Sequence, residues 1–330
     1  MASEPQPEIE VLLATFNGEQ FLREQIDSVL AQENVCLRIL ARDDGSTDGT
    51  VAILQEYAQR FPQRFRLLED GIKTGNAKWN FLKLTAASEA PYICYCDQDD
   101  VWLADKVSRS LAVMAELEKE HDRALPLLVF TDLVVVNKDG ATLFPSFWER
   151  DQIDPEVINR LRVLIGQNIV TGCSAMLNRR AAELSLRMPD ECPMHDRWAG
   201  LIAAAMGRGG FVREKTVLYR QHGGHVIGAE LEKTPFWAVL RWPRRPEKRI
   251  EQWQINQQVA AALLRVYEGE LPAASKELLN VYIRAGQSPN RWLRVYLMLR
   301  HGLLRKGMRK KIATLWDAWN LDCPVSDVHS

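Results

Sequence analysis

Apolar positions in the first half of the chain alternate between two rhythms. "IEVLLA" (9–14), "VCLRILAR" (35–42), "RFRLLE" (64–69), "PYICYC" (91–96) and "PLLVFTDLVVVN" (126–137) are short apolar runs that predict strands. Between them, "EQFLREQIDSVLAQ" (19–32), "GTVAILQEYAQRF" (49–61), "NAKWNFLKLTAAS" (76–88) and "LADKVSRSLAVMAELEKE" (103–120) carry the spacing of amphipathic helices. Strand and helix in alternation predict an α/β fold: a mainly parallel, Rossmann-like sheet with helices on both faces. The later pattern is less regular. It predicts a helix over 156–166, a strand over 170–178, a loop entering a helix over 192–207, and a strand running into a glycine-rich loop over 211–229. From Pro235 onward the chain reads as helical, rich in Trp and Arg, with proline breaks at "RWPRRPEKR" (241–249). A boundary near Glu230 divides an α/β domain, 1–230, from a basic, Trp-rich helical extension, 231–330.

Composition narrows the picture. The chain has 330 residues, with 42 Lys or Arg against 43 Asp or Glu. A nucleic-acid binder usually carries a basic excess, so this balance points away from one. Six scattered cysteines form no CxxC pair, and buried free thiols in a reducing compartment are expected. The polar N-terminus has no signal-peptide pattern, and no apolar run of about 18 residues occurs. A cytoplasmic protein is expected.

Ligands of parallel α/β sheets bind at the carboxyl ends of the strands. The segments there are "TFNG" (15–18), "DDGSTD" (43–48), "DGIKTGN" (70–76) and "DQDDVW" (97–102). Asp and Ser also cap helices, so each loop alone has a purely structural explanation. Acidic residues recurring along one sheet edge are harder to explain that way. Carboxylates this close repel one another, and burying them is costly without a positive partner. Oxygen-only ligation suits Mg²⁺ or Mn²⁺, and Mg²⁺ favours one or two carboxylates plus substrate phosphates. Those phosphates suggest a nucleotide diphosphate.

"LLATFNGEQFLREQIDSVLAQ", "ILARDDGSTDGT", "GNAKWNF", "YICYCDQDDVW", "VTGCSAMLNR", "MHDRW" and "YRQHG", in this order across residues 9 to 229, resemble a family 2 glycosyltransferase. The resemblance implies the GT-A (nucleotide-diphospho-sugar transferase) fold, and within it a rhamnosyltransferase-like branch of bacterial surface polysaccharide synthesis. It also implies roles. Asp44, with Asp43 able to share the task, would accept the ring N–H of a uracil or thymine base. Thr15, Phe16 and Asn17 would line the nucleotide pocket, with Gln98 beside them. Lys73 or Lys78 would meet base or phosphate. Asp97 would approach ribose and metal, Asp99 would ligate the metal, and Asp100 would cap the next helix or support the site. Asp196 would act as general base, with His195 supporting it and Trp198 packing or walling the acceptor. Arg220 and His222 would contact phosphate or metal from a lid over 221–230, hinged on Gly223, Gly224 and Gly228.

These roles make an inverting transferase that moves a sugar from a dTDP- or UDP-linked donor, dTDP-L-rhamnose among the candidates, to a glycan acceptor. A polyprenyl-linked acceptor fits the tail. Residues 290–316 hold eight Lys or Arg and no acidic residue, interleaved with large apolar side chains. That composition suits contact with an anionic membrane surface at its inner face, or else a basic helix packed on the catalytic domain. Two rivals stand beside this reading. A sugar nucleotidyltransferase lacks support from "LLATFNGE", which has no basic Gly-rich loop for a triphosphate. A non-catalytic scaffold would not need Asp44, Asp97, Asp99 and Asp196 together.

Overall fold

The computed structural model describes residues 9–221 and 246–320. They form two compact units: 9–159, 169–188 and 193–221 make the first, and 160–168, 189–192 and 246–320 the second.

The first unit is built on a nine-stranded sheet. Its strands are β1 (Ile9–Thr15), β2 (Leu37–Asp43), β3 (Phe65–Leu67), β4 (Tyr92–Cys96), β5 (Val101–Trp102), β6 (Leu127–Asn137), β7 (Thr142–Phe144), β8 (Met176–Asn178) and β9 (Arg208–Gln221). Their order is β3-β2-β1-β4-β8-β6-β9-β5, with β7 on β6. The first four strands are parallel, as crossover helices require. Those helices are α1 (Glu19–Leu30), α2 (Thr50–Arg60) and α3 (Ala77–Ala87), and α4 (Lys106–Glu120) follows β5. Beyond β4 the sheet becomes mixed. The three-residue β8 runs antiparallel to both β4 and β6, while β6 and β9 are parallel. Leu13, Ile26, Ile39, Leu54, Cys94, Val129 and Met176, all buried, belong to the core that the sheet shares with its helices.

Two predicted elements differ. The strand expected over 170–178 survives only as β8, because Gly172–Ser174 forms a 3₁₀ turn that breaks the ladder. The helix expected over 156–166 splits into a 3₁₀ turn at Pro155–Val157 and a short α6 at Leu161–Leu164. The brief β5 was not expected, since two residues carry no periodicity. After α5 (Phe147–Asp151) and α7 (Arg179–Ser185), α8 (His195–Met206) leads through Gly207 into β9. A Cβ at Gly207 would lie 1.8 Å from the Pro126 carbonyl oxygen, so only glycine lets the chain pass this close.

In the second unit, α9 (Pro246–Val266), α10 (Ala273–Gln287), α11 (Arg291–Arg300) and α12 (Met308–Asn320) pack together. Trp253 of α9 stacks on Tyr282 of α10, 5.8 Å between ring centres. Asp317 of α12 lies buried between Arg249 (2.6 Å) and Arg305 (3.1 Å), tying α12 to α9 and to the turn before it. Burial still raises its carboxyl above the ordinary range.

Of the cysteines, Cys94, Cys96, Cys173 and Cys192 are buried thiols, while Cys36 is an exposed one. Cys323 lies outside the described residues. No described helix is long and apolar enough to cross a membrane.

Candidate functional site

The site forms where β1, β2 and β4, adjacent and parallel, end together. Register sets Thr15 beside Asp43 and Leu13 beside Cys96, so three loops leave the sheet side by side. Hydrogen bonds between them interlock. Thr15 Oγ1 donates to Asp43 Oδ1 at 3.0 Å, and Asp43 Oδ2 accepts from the Gly45 and Ser46 backbone N–H groups. Asn17, with φ of 48°, accepts from Thr47 N–H at 2.8 Å while its own N–H donates to Ser46 Oγ. Gln98 clamps the Phe16 backbone from both sides, accepting its N–H at 2.8 Å and donating to its carbonyl at 2.9 Å. A Cβ at Gly18 would strike that amide at 2.3 Å. Asp43 and Gln98, expected on the nucleotide, therefore spend these atoms on loop geometry, and Phe16 is left half-exposed at the rim.

Asp44, the first residue after β2, is buried. It accepts from Thr74 N–H (2.6 Å), Gly75 N–H (2.7 Å) and Arg42 Nη1 (3.2 Å). These donors hold its carboxyl below the ordinary range although burial opposes them. Arg42 was missed in the sequence, where it reads as one more strand residue. It is fully buried, donates to Asp70 at 2.9 Å and to Asn80 Oδ1 at 2.9 Å, and reaches the Ile72 carbonyl. Asn80, also missed, donates to the carbonyls of Thr15 and Arg42. One guanidinium thus joins the loops after β2 and β3 to α3. An Arg ending a strand just before a double Asp was the available signal. Lys73 is exposed, and its side chain lies over Gly45, where a Cβ would meet Nζ at 2.9 Å. Lys78 instead is buried, its ammonium 4.8 Å from the Trp79 ring centre.

The acidic cluster follows β4. Asp97, Asp100 and Cys173 each bring one ligand atom to within 4.8 Å of the others. Burial, then Asp99 and Asp196, push the Asp97 carboxyl up to about 7. Asp100 is raised well above the ordinary range by burial first and then by Asp99 and Asp97. Its Oδ1 accepts Arg220 N–H at 3.0 Å, its buried Oδ2 finds no N–H or O–H donor among the described residues, and the Cys173 thiol lies against this carboxyl. The expected helix cap is not its role: α4 begins six residues later, after Asp105. An orphaned carboxylate oxygen among mutually repelling acids is what a missing cation would leave, so the residues fit a divalent metal. The Cys173 thiol, expected only as core, is part of that group.

Asp196 opens the first turn of α8. Its Oδ2 accepts Gly172 N–H at 3.0 Å, from the 3₁₀ turn that also carries Cys173. That turn therefore connects the candidate base to the acidic cluster, a connection a continuous strand could not make. His195 lies behind it, stacked 4.1 Å from Phe81 and edge-on to Tyr95 at 4.5 Å. Among the described residues neither ring nitrogen has a partner, and burial lowers its pKa to about 3, so it is a neutral wall. Trp198 is fully buried and packs in the core. Arg220 is buried too. Its guanidinium donates to the Asp99 carbonyl (2.8 Å), the Lys138 carbonyl (2.8 Å) and Glu24 (2.7 Å), and lies 4.6 Å from the Phe21 ring centre. It holds the acidic loop in place, and a phosphate contact would require these bonds to be exchanged. His222 and the glycine hinge of the expected lid lie outside the described residues.

The profile of "Glycosyl transferase family 2" matches residues 10–184. The dTDP-rhamnosyl transferase RfbG of Shigella flexneri is 27% identical over 237 residues, covering 66% of this chain and 74% of that protein. The uncharacterized protein Rv1520 of Mycobacterium tuberculosis is 28% identical over 237 residues, 69% of this chain and 63% of that protein. Among solved structures, S. aureus TarS 1-349 in complex with UDP-GlcNAc superposes with a TM-score of 0.56 at 14% identity, covering 89% of this chain and 80% of that one. At that identity the likeness speaks for the fold alone.

Proposed function

This chain belongs to glycosyl transferase family 2, and from that premise we propose that it is a metal-dependent, inverting glycosyltransferase of surface polysaccharide synthesis. A transferase acting on nucleotide sugars follows from the family. The finer reading rests on one observation: Asp44, the Asp97–Asp100–Cys173 cluster and Asp196 line a single sheet edge, with a 3₁₀ turn bridging the last two.

The division of labour is chemical. Asp44, fixed by Arg42 and the 74–75 backbone, offers its remaining acceptor capacity to the imide N–H of a uracil or thymine base. Lys73, over Gly45, supplies a cation at the same pocket. Asp97 and Asp100, with Asp99 alongside, would hold Mg²⁺ or Mn²⁺, which when bound offsets the negative charge gathering on the departing diphosphate. Asp196 takes the proton from the acceptor hydroxyl as that oxygen bonds to the anomeric carbon and the nucleotide diphosphate leaves. The backbone N–H of Gly172 holds the carboxylate in position for this step. The likeness to RfbG supports dTDP-L-rhamnose as donor, and the basic tail supports a lipid-linked glycan acceptor at the inner membrane face.

A thermal-shift screen of dTDP-rhamnose, UDP-GlcNAc and their nucleotides with Mn²⁺ tests the donor. A ligand bound only by the native state raises the melting temperature. A shift with dTDP compounds supports the reading. No shift with any uridine or thymidine diphosphate, with or without metal, would end it.

A further inference from the structure

On α11, Trp292, Tyr296 and Leu299 are exposed at 71%, 52% and 54%. Their spacing of four and three residues keeps them within roughly 60° of helix circumference. The buried residues of the same helix, Arg294, Leu297 and Met298, lie on the opposite side. This short helix is therefore apolar toward its unit and apolar toward solvent, which packing inside the unit does not explain.

The next helix repeats the pattern. Met308 and Ile312 of α12 are 72% and 50% exposed, and Leu315 and Trp319, both partly exposed, continue the stripe at the same helical spacing. The buried Thr314, Asp317 and Ala318 face away from it. Trp319 meets Trp292 edge-on, 4.6 Å between ring centres, so the two stripes join. The seam gathers two tryptophans, a tyrosine and four aliphatic side chains on adjacent helices.

Charge decides what covers it. Arg291 and Arg300 flank the α11 stripe, each about a quarter-turn from its centre line. Arg291 lies over the Trp319 ring at 5.3 Å and Arg300 over Tyr296 at 6.0 Å, and both are exposed, as is Lys311 on α12. Residues 290–316 contain no Asp or Glu. A second copy set symmetrically on this face would bring arginine against arginine. The complementary surface is apolar within and anionic at its rim, as the headgroup and acyl boundary of an acidic bilayer is.

We infer that the joined stripe Trp292–Tyr296–Leu299 and Met308–Ile312–Leu315–Trp319 is a membrane-inserting face, seated in anionic lipid with Arg291, Arg300 and Lys311 at the headgroups. The inference gives residues to the proposed lipid-linked acceptor and rests on that reading for its purpose. The exposure and spacing that carry it involve no residue of the catalytic assignment.

The test is flotation of the full chain with phosphatidylcholine vesicles, with and without 30% phosphatidylglycerol (a composition of choice, roughly that of an acidic leaflet). The wild-type chain should float with the anionic vesicles, and its tryptophan emission should shift to the blue. W292S/Y296S/L299S should bind at least tenfold more weakly, and R291E/R300E/K311E should lose the preference for anionic lipid. Melting temperature and nucleotide-induced shift, measured on each variant, should stay at wild-type values. Unchanged flotation of both variants, or a wild-type chain that floats with neither vesicle, overturns the membrane face and leaves nucleotide binding standing. So does a dimer in sedimentation that the serine variant dissociates. Loss of the nucleotide shift in the wild-type chain would instead count against the transferase reading.

Discussion

Asp196 Oδ2 accepts the Gly172 N–H at 3.0 Å, a bond the amide oxygen of an Asn can keep, while the Arg197 N–H on Oδ1 loses its acceptor. Asp196→Asn therefore keeps the fold and the nucleotide pocket but loses the proton acceptor. Turnover should fall about 10²-fold or more, with the nucleotide-induced thermal shift retained. Near-wild-type turnover would remove the base assignment. His195 makes a different prediction. Its pKa of about 3 in the folded chain, against 6.5 for an ordinary His, means the unfolded chain binds more protons between these values. Stability therefore rises with pH through that window and is lost as pH falls below about 6.5, at about 1.4 kcal/mol per unit. Urea midpoints of the wild type and His195→Gln, compared between pH 7 and 5, isolate this contribution. The variant should show a shallower fall. Parallel slopes would mean that the ring gains a partner on protonation.

At the scale of elements, much depends on places where a regular pattern stops. The 3₁₀ turn at Gly172–Ser174 interrupts a run that reads as strand, and the interruption lets one segment serve both Asp196 and the acidic cluster. Gly207 ends α8, the helix that carries Asp196, and lets β9 start against Pro126. Gly207→Ala places a methyl group against backbone, which no rotamer change relieves. A loss of about 2 kcal/mol is expected, read as a lower urea midpoint, with activity falling in step because α8 moves. Gly71→Ala provides the contrast. There a Cβ meets nothing within 4 Å, and the cost comes only from its φ of 68°. Arg42 shows the same dependence in polar form, since three separate segments converge on one guanidinium.

For the molecule as a whole, the proposal that the acidic cluster holds a divalent ion predicts metal-dependent activity. Treating the enzyme with EDTA should abolish transfer, and Mn²⁺ or Mg²⁺ should restore it, measured as nucleotide diphosphate release. Full activity in chelator would contradict metal dependence. The alternation of strands and helices, the edge of the sheet that carries the site, and most of the acidic residues there were legible from the chain alone. Each follows from local periodicity or from the rule that crossover units leave their loops on one edge. Partner choice was not legible. Gln98 and Asp43 have the side chains of ligand-binding residues yet bond the end of β1 and the loop after it. Arg42 and Asn80 look ordinary yet hold together the loops around Asp44. Cys173 reads as core yet stands beside Asp100. The apolar seam on α11 and α12 has the same origin. Composition marked the segment as basic and apolar, but which side chains turn outward depends on what each helix packs against. Periodicity comes from bonds between near neighbours, whereas these pairings join residues tens of positions apart, and only the closed fold decides which of them meet.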